Sequence, residues 1–242
     1  MNPIFSPALE SAVDRAIEIL EQTPFLPGQL FYNCAELQQK LDISATLAQD
    51  SLHELFVLGY LEQVDDCYVV ARDKIVRNTW AMSSLSDAMA SRHFVLRSKI
   101  LFFDIVEAPK TIFKMLNLVL GEKVYCLHRL RYVEDVPMIV ELSYLPVSQF
   151  PGLLAYDFAA YSLYRILEEK YHVRAENQSL EFFVEQPTPD EMSWLQLKPD
   201  DTLLTLSGET FNQNGNVFEY SISKSPGRYT CYECSPILEG LF

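Results

Sequence analysis

The chain has 242 residues, 49% of them apolar and 12% aromatic, enough for a sizeable core in one large or two ordinary domains and against global disorder. No apolar run approaches the ~20 residues that cross a membrane as a helix, and Met1-Asn2-Pro3-Ile4-Phe5 lacks the basic start and long apolar stretch of a signal peptide, so the expected location is the cytoplasm. The formal charge of −14 is unevenly spread: residues 1–71 hold eleven acids against two bases, Arg15 and Lys40, a net −9, the reverse of the bias that contact with a phosphate backbone favours.

Leu9, Val13, Ile17 and Leu20 recur at three- and four-residue steps and predict a helix over 8–22, stopped by Thr23-Pro24 and followed by a Pro27-Gly28 turn. Asn33 is placed to cap a second helix, 34–41, with Leu37 and Leu41 inward. Ser44 caps a third, 45–59, with Leu47, Leu52, Leu55 and Leu58 as its apolar stripe and Gly59 at its end. Residues 60–64 and 67–70 then alternate like a hairpin turning at Asp65-Asp66. Three helices and a hairpin within residues 1–71 make the winged helix-turn-helix arrangement.

Residues 72–92 are polar and serine-rich at Ser83-Ser84 and Ser86, and read as a connector with a short helix. A second domain, 93–242, follows. Strands are expected over 100–106, 124–133 and 138–145, the last two turning at Asp135, then over 179–185, 202–211, 217–223 and 229–235. Helices are expected over 110–118, 162–171 and 190–195. The class is α+β with antiparallel strands dominant.

The chemistry concentrates in Arg129-Leu130-Arg131 and Glu141. Arginines two apart on a strand share a face, where they can grip one anion with paired hydrogen bonds. Glu141, on the next strand, can accept hydrogen bonds from sugar-like hydroxyls. The competing reading makes the arginines a solvated face and Glu141 a salt-bridge partner. His128 falls on the opposite strand face, and His53, His93, His128 and His172 are too scattered to suggest a metal cluster. The five cysteines suit reduced thiols; Cys231-Tyr232-Glu233-Cys234 has the C-x-x-C form but lies in a strand-like segment, which favours buried structural thiols over zinc or redox work.

These residues resemble the GntR family of transcription regulators, HutC subfamily. Residues 93–240 resemble its UTRA effector-binding domain, at Arg129-Leu130-Arg131, Val136-Pro137-Met138, Glu141-x-Ser143-Tyr144-Leu145-Pro146, Ser162-Leu163-Tyr164 and Glu219-Tyr220-Ser221. The resemblance implies a chorismate-lyase-like fold with a mainly antiparallel sheet. It also implies a small anionic effector, a phosphorylated sugar or carboxylate, bound by Arg129, Arg131 and Ser162, with Glu141 on its hydroxyls. A homodimer without cofactor is implied as well. Where the family carries Tyr-Arg-Gly-Asp-Arg-Tyr, this chain has Ser225-Pro226-Gly227-Arg228-Tyr229, one residue short and without the first tyrosine.

In the first domain, Pro27-Gly28, Leu37, Leu41, Ser44, Leu52, Leu55, Gly59 and Tyr60-Leu61 match the family's folding residues. Ser44, Thr46 and Gln49 fall where the family contacts DNA. Ala35, Ala45 and Gln49 stand where it has three arginines, and no Lys or Arg lies between Leu41 and Ala71. Two alternatives therefore remain open. An acidic winged helix could contact a protein partner in place of DNA, through Phe31-Tyr32, Phe56 and Tyr60. An enzyme of the chorismate-lyase kind is the other, against which the attached winged helix and the lack of an activated nucleophile or metal site both argue.

Overall fold

A computed structural model describes residues 6–71, 75–78, 85–91 and 94–233, in two compact units, Met1–Lys74 and Ile75–Phe242. Arg72, Lys74, His93 and Cys234 lie outside the described residues, as do residues 79–84 with Ser83-Ser84.

The first unit begins with α1 (Pro7–Gln22), whose Ser6 cap accepts a hydrogen bond from the Leu9 amide. Helix α2 (Cys34–Leu41) starts in a reciprocal capping box between Asn33 and Glu36. Helix α3 (Ala45–Val57) is capped by Ser44 through the Leu47 amide and ends two residues short of the expected 59, with Gly59 in the left-handed region at φ +80°. Val13, Ala16, Leu37, Leu41, Ala48, Leu52, Leu55 and Leu61 form one buried cluster with Leu9, Ile17 and Leu20 packed against it, whereas Leu58, expected in the α3 stripe, follows the end of the helix and is exposed.

Strands β1 (Leu61–Val64) and β2 (Cys67–Val70) pair antiparallel around Asp65 at φ +52°. Gly28, at φ +81°, turns the α1–α2 connection alongside β2: its amide donates to the Val70 carbonyl and the Phe31 amide to that of Tyr68. That path buries Phe31, at 6% exposure, and packs Tyr32 against the same core. Phe31 is therefore core, Tyr32 is half-buried, and Phe56 and Tyr60 are exposed.

In the second unit, β3 (Ile75–Asn78) pairs in parallel with β10 (Thr230–Glu233). Helix α4 (Leu85–Ser91) buries Leu85 and Met89 against Val133, Met138 and Ile139. Both segments fall within the stretch read as a connector and group with this unit. The main sheet has the order β4-β5-β6-β9-β8-β7, all antiparallel. Its strands are β4 (Leu96–Glu107), β5 (Lys123–Val133), β6 (Val136–Pro146), β7 (Ala175–Glu185), β8 (Leu203–Asn212) and β9 (Val217–Pro226).

The two-residue period of β5 sorts the helices. Tyr125 and Leu127 pack under α6 (Leu163–Tyr171) with Phe150, Phe158 and Phe218. On the other face Val124 packs under α5 (Lys110–Met115), and Leu130 under α7 (Pro189–Leu195). Among the described residues no helix is long and apolar enough to cross a membrane. The described cysteines are free thiols, and Cys231, expected to be buried, is exposed.

Candidate functional site

Glu134 and Asp135 both take positive φ in a tight two-residue turn, and a register shift between Arg131 and Tyr132 then moves the β5–β6 pairing by one residue, which sets Arg129 directly opposite Glu141. The Arg129 Nη2 donates to Glu141 Oε2 at 2.5 Å, and Arg131 Nη1 donates to the same oxygen at 2.8 Å. Arg131 also donates from Nη2 to Ser86 Oγ on α4, at 3.2 Å. Both arginines are only 4% exposed. Their positive charge is thus placed inside the protein and balanced there by a carboxylate, an arrangement quite unlike the exposed Arg97–Asp135 and Arg165–Glu169 pairs. The Nε of Arg129 is buried without a hydrogen-bond partner.

The α6 face of the sheet is hollow here because β6 and β9 place small residues side by side: Glu141 faces Ser223 and Ser143 faces Ser221. Arg129, Arg131, Glu141 and Ser162 line one cavity of about 60 Å³ together with Tyr164 and Glu219. All four residues expected to hold the effector are therefore brought together. Ser162 occupies the N-cap position of α6, but its side chain makes no capping bond. The start of a nine-residue helix opens beside the arginines, adding backbone N–H groups and the positive end of the helix dipole. His128, on the reverse face, stacks edge-on against Trp194, and burial lowers its pKa.

Sequence reasoning assigned no role to Tyr164 and Glu219, although both fall within the matching motifs. The Tyr164 hydroxyl donates to Glu219 Oε2 at 2.6 Å, and Thr210 Oγ1 approaches that oxygen at 3.5 Å. Burial raises the Glu219 carboxyl above the ordinary range, against the lowering effects of Tyr164, Ser143 and Arg129. Burial likewise pushes the Tyr164 hydroxyl well above its usual value. A carboxyl held high in this way favours folding only while protonated, and that contribution is lost as pH rises through its raised value. Glu219→Gln keeps the shape and removes the ionisation. It is expected to melt higher than the parent at pH 8, with the difference closing by pH 4; a lower melting temperature at pH 8 that recovers towards pH 4 would show that the ionised form is the stabilising one.

The shortened stretch 225–229 also has an account. The backbone enters a 3₁₀ turn at Gly227–Tyr229, Arg228 is tied to Asp201, and Tyr229 packs beside Val133 and Met138. In the first unit, Ser44, Thr46 and Gln49 lie on the exposed side of α3, with Ala35 and Ala45 exposed as well.

The UTRA domain family model matches residues 91–230. The chain is 22% identical over 216 residues to the mannosyl-D-glycerate transport/metabolism system repressor MngR of Escherichia coli, covering 89% of this chain and 90% of that protein. It is 22% identical over 197 residues to the HTH-type transcriptional repressor NagR of Bacillus subtilis, with 81% of each covered. Its fold matches the crystal structure of PhnF from Mycobacterium smegmatis with a TM-score of 0.69 at 18% identity, over 94% of this chain and 100% of that one.

Proposed function

Because the chain belongs to the UTRA-domain family of GntR/HutC-type regulators, we propose that it is a cytoplasmic, homodimeric, ligand-responsive transcriptional regulator. Its effector is a small anionic metabolite, a phosphorylated sugar or a carboxylate. The anion sits on Arg129 and Arg131 at the start of α6 beside Ser162, and hydroxyls of the ligand meet Glu141. One observation carries this reading: two buried guanidinium groups converge on the same few cubic ångströms, with a buried Arg129 Nε still lacking an acceptor. Burying two cations together costs several kcal/mol of desolvation, in the range of ~3–5 kcal/mol when a counter-charge is withdrawn, so a pocket like this is built for an anion.

MngR is named for a mannosyl-D-glycerate system, and mannosyl-D-glycerate is a polyhydroxy compound with a single carboxylate. A ligand of that general kind suits the arginines and Glu141 together. The ligand biases one of two arrangements of the effector domain and thereby the spacing of paired winged helices on DNA.

Fluorescence anisotropy of labelled DNA from the protein's own upstream region tests the DNA-binding step. Saturable binding at low ionic strength that weakens steeply with added salt is the expected outcome. No binding even at low salt would overturn it and point to a protein contact of the acidic first unit.

A further inference from the structure

We propose that Glu141 is a tethered stand-in for the effector's anion, so that the site rejects a bare oxyanion and admits only ligands carrying both an anionic group and hydroxyl or amine donors. The proposal rests on the anion-pocket reading above and adds a selection rule to it.

The geometry shows the competition directly. Both arginines donate to one oxygen of Glu141, at 2.5 and 2.8 Å, so this carboxylate occupies the place that an oxyanion would take. With Glu141 in the fork, the groups that would hold a ligand's anion are already engaged by this carboxylate. An anion that is to bind both arginines as Glu141 does therefore has to displace the Glu141 side chain. Once moved, the carboxylate is still close to buried, at 13% side-chain exposure, and has lost two charge-assisted hydrogen bonds.

A bare oxyanion replaces Glu141 on the arginines and offers nothing to the carboxylate it evicts. It also leaves two negative groups side by side, with Glu219 as a third carboxyl lining the cavity. A ligand with hydroxyls or an ammonium next to its anion satisfies both ends at once. Sites that must hydrogen-bond a particular group discriminate strongly against ligands without it, because the protein's own polar atom is stranded. The serines on the cavity floor, Ser221 and Ser223, leave space on the β9 side into which Glu141 can turn, since Ser223 is its direct neighbour in register.

The test is isothermal titration of the full-length chain with two probes, inorganic phosphate and glycerol 3-phosphate. The parent is expected to bind glycerol 3-phosphate more tightly than phosphate. Glu141→Gln is expected to bind phosphate on the order of tenfold more tightly than the parent does and to lose the preference between probes. Equal phosphate affinity in parent and variant would overturn the stand-in role while leaving the arginine pocket intact. Failure of every form to bind either probe would overturn the anion-pocket reading itself. Should Glu141→Gln not fold, Glu141→Asp keeps the charge on a shorter arm, and its phosphate affinity is expected to exceed the parent's; no gain there would overturn the proposal.

Discussion

Arg129→Ala is expected to abolish any response to the effector and to destabilise the protein by about 3–5 kcal/mol, the cost typical of removing one member of a buried ion pair. The reason lies in its surroundings. Arg129 is 4% exposed, faces Glu141 across the β5–β6 ladder, and helps to hold the neighbouring Glu219 carboxyl from rising further. Truncation removes one of the two buried donors to Glu141 and leaves Arg131 as the remaining arginine partner of that carboxylate, in the cavity lined by α4, α6 and the sheet. Thermal melting and effector titration check both effects. Arg165→Ala serves as the control: its pair with Glu169 lies on the surface of α6, and pairs of that kind contribute about 0–1 kcal/mol. A similar small loss at Arg129 would mean that water reaches the pair freely. Arg129→Lys is expected to recover part of the stability but little ligand affinity, because an ammonium cannot reproduce the planar fork.

Much of this site could be read from spacing alone. Arg129 and Arg131 share a strand face by the two-residue period, and Asp135 marks the turn, but it is the irregularity at Arg131–Tyr132, silent in the spacing, that brings Glu141 and not Val140 opposite Arg129. Polar caps at Asn33 and Ser44 marked the starts of two helices because each side chain bonds an amide three residues on, whereas the Ser6 cap of α1 went unread. Only the family motifs linked Ser162, sixteen residues beyond the end of β6 at Pro146, to the same place, which no local pattern could do.

What escaped is non-local or lacks a pattern. The strand over 229–235 was expected, but its parallel partner β3 is a four-residue strand in the stretch read as a connector, separated from β10 by most of the second unit. Strand β7 begins four residues earlier than its alternation suggests, because as an edge strand it is exposed along most of its length. The Tyr164–Glu219 bond links a helix to a distant strand, and nothing in either segment specifies the other. That Glu141 would rest in the arginine fork was visible only as one of two readings, since a carboxylate opposite an arginine is equally a ligand contact and a salt bridge. The structure shows the salt bridge, and the ligand contact is its proposed role once an effector binds.

Restoring arginine at positions 35, 45 and 49 is expected to tighten binding to the upstream DNA by tenfold or more per effective contact, each base-reading arginine contributing about 1–3 kcal/mol. The argument begins from charge: residues 1–71 carry a net −9, and α3 with its hairpin contains no Lys or Arg. Along α3 and the hairpin a phosphate backbone therefore finds no cation to pair with. Ala35, Ala45 and Gln49 are all exposed, so longer side chains meet no core atoms there. Surface substitutions of this sort shift stability by within about 0.5 kcal/mol, which keeps any change in affinity attributable to contact. The salt dependence separates mechanisms. Each arginine that neutralises a phosphate steepens the slope of log affinity against log salt by about 0.9, whereas an arginine reading a base edge changes sequence preference. If the triple variant Ala35→Arg, Ala45→Arg, Gln49→Arg binds no better and its salt slope is unchanged, the exposed side of α3 does not meet DNA. The winged helix would then act through a surface that Phe56 and Tyr60 leave exposed beside it.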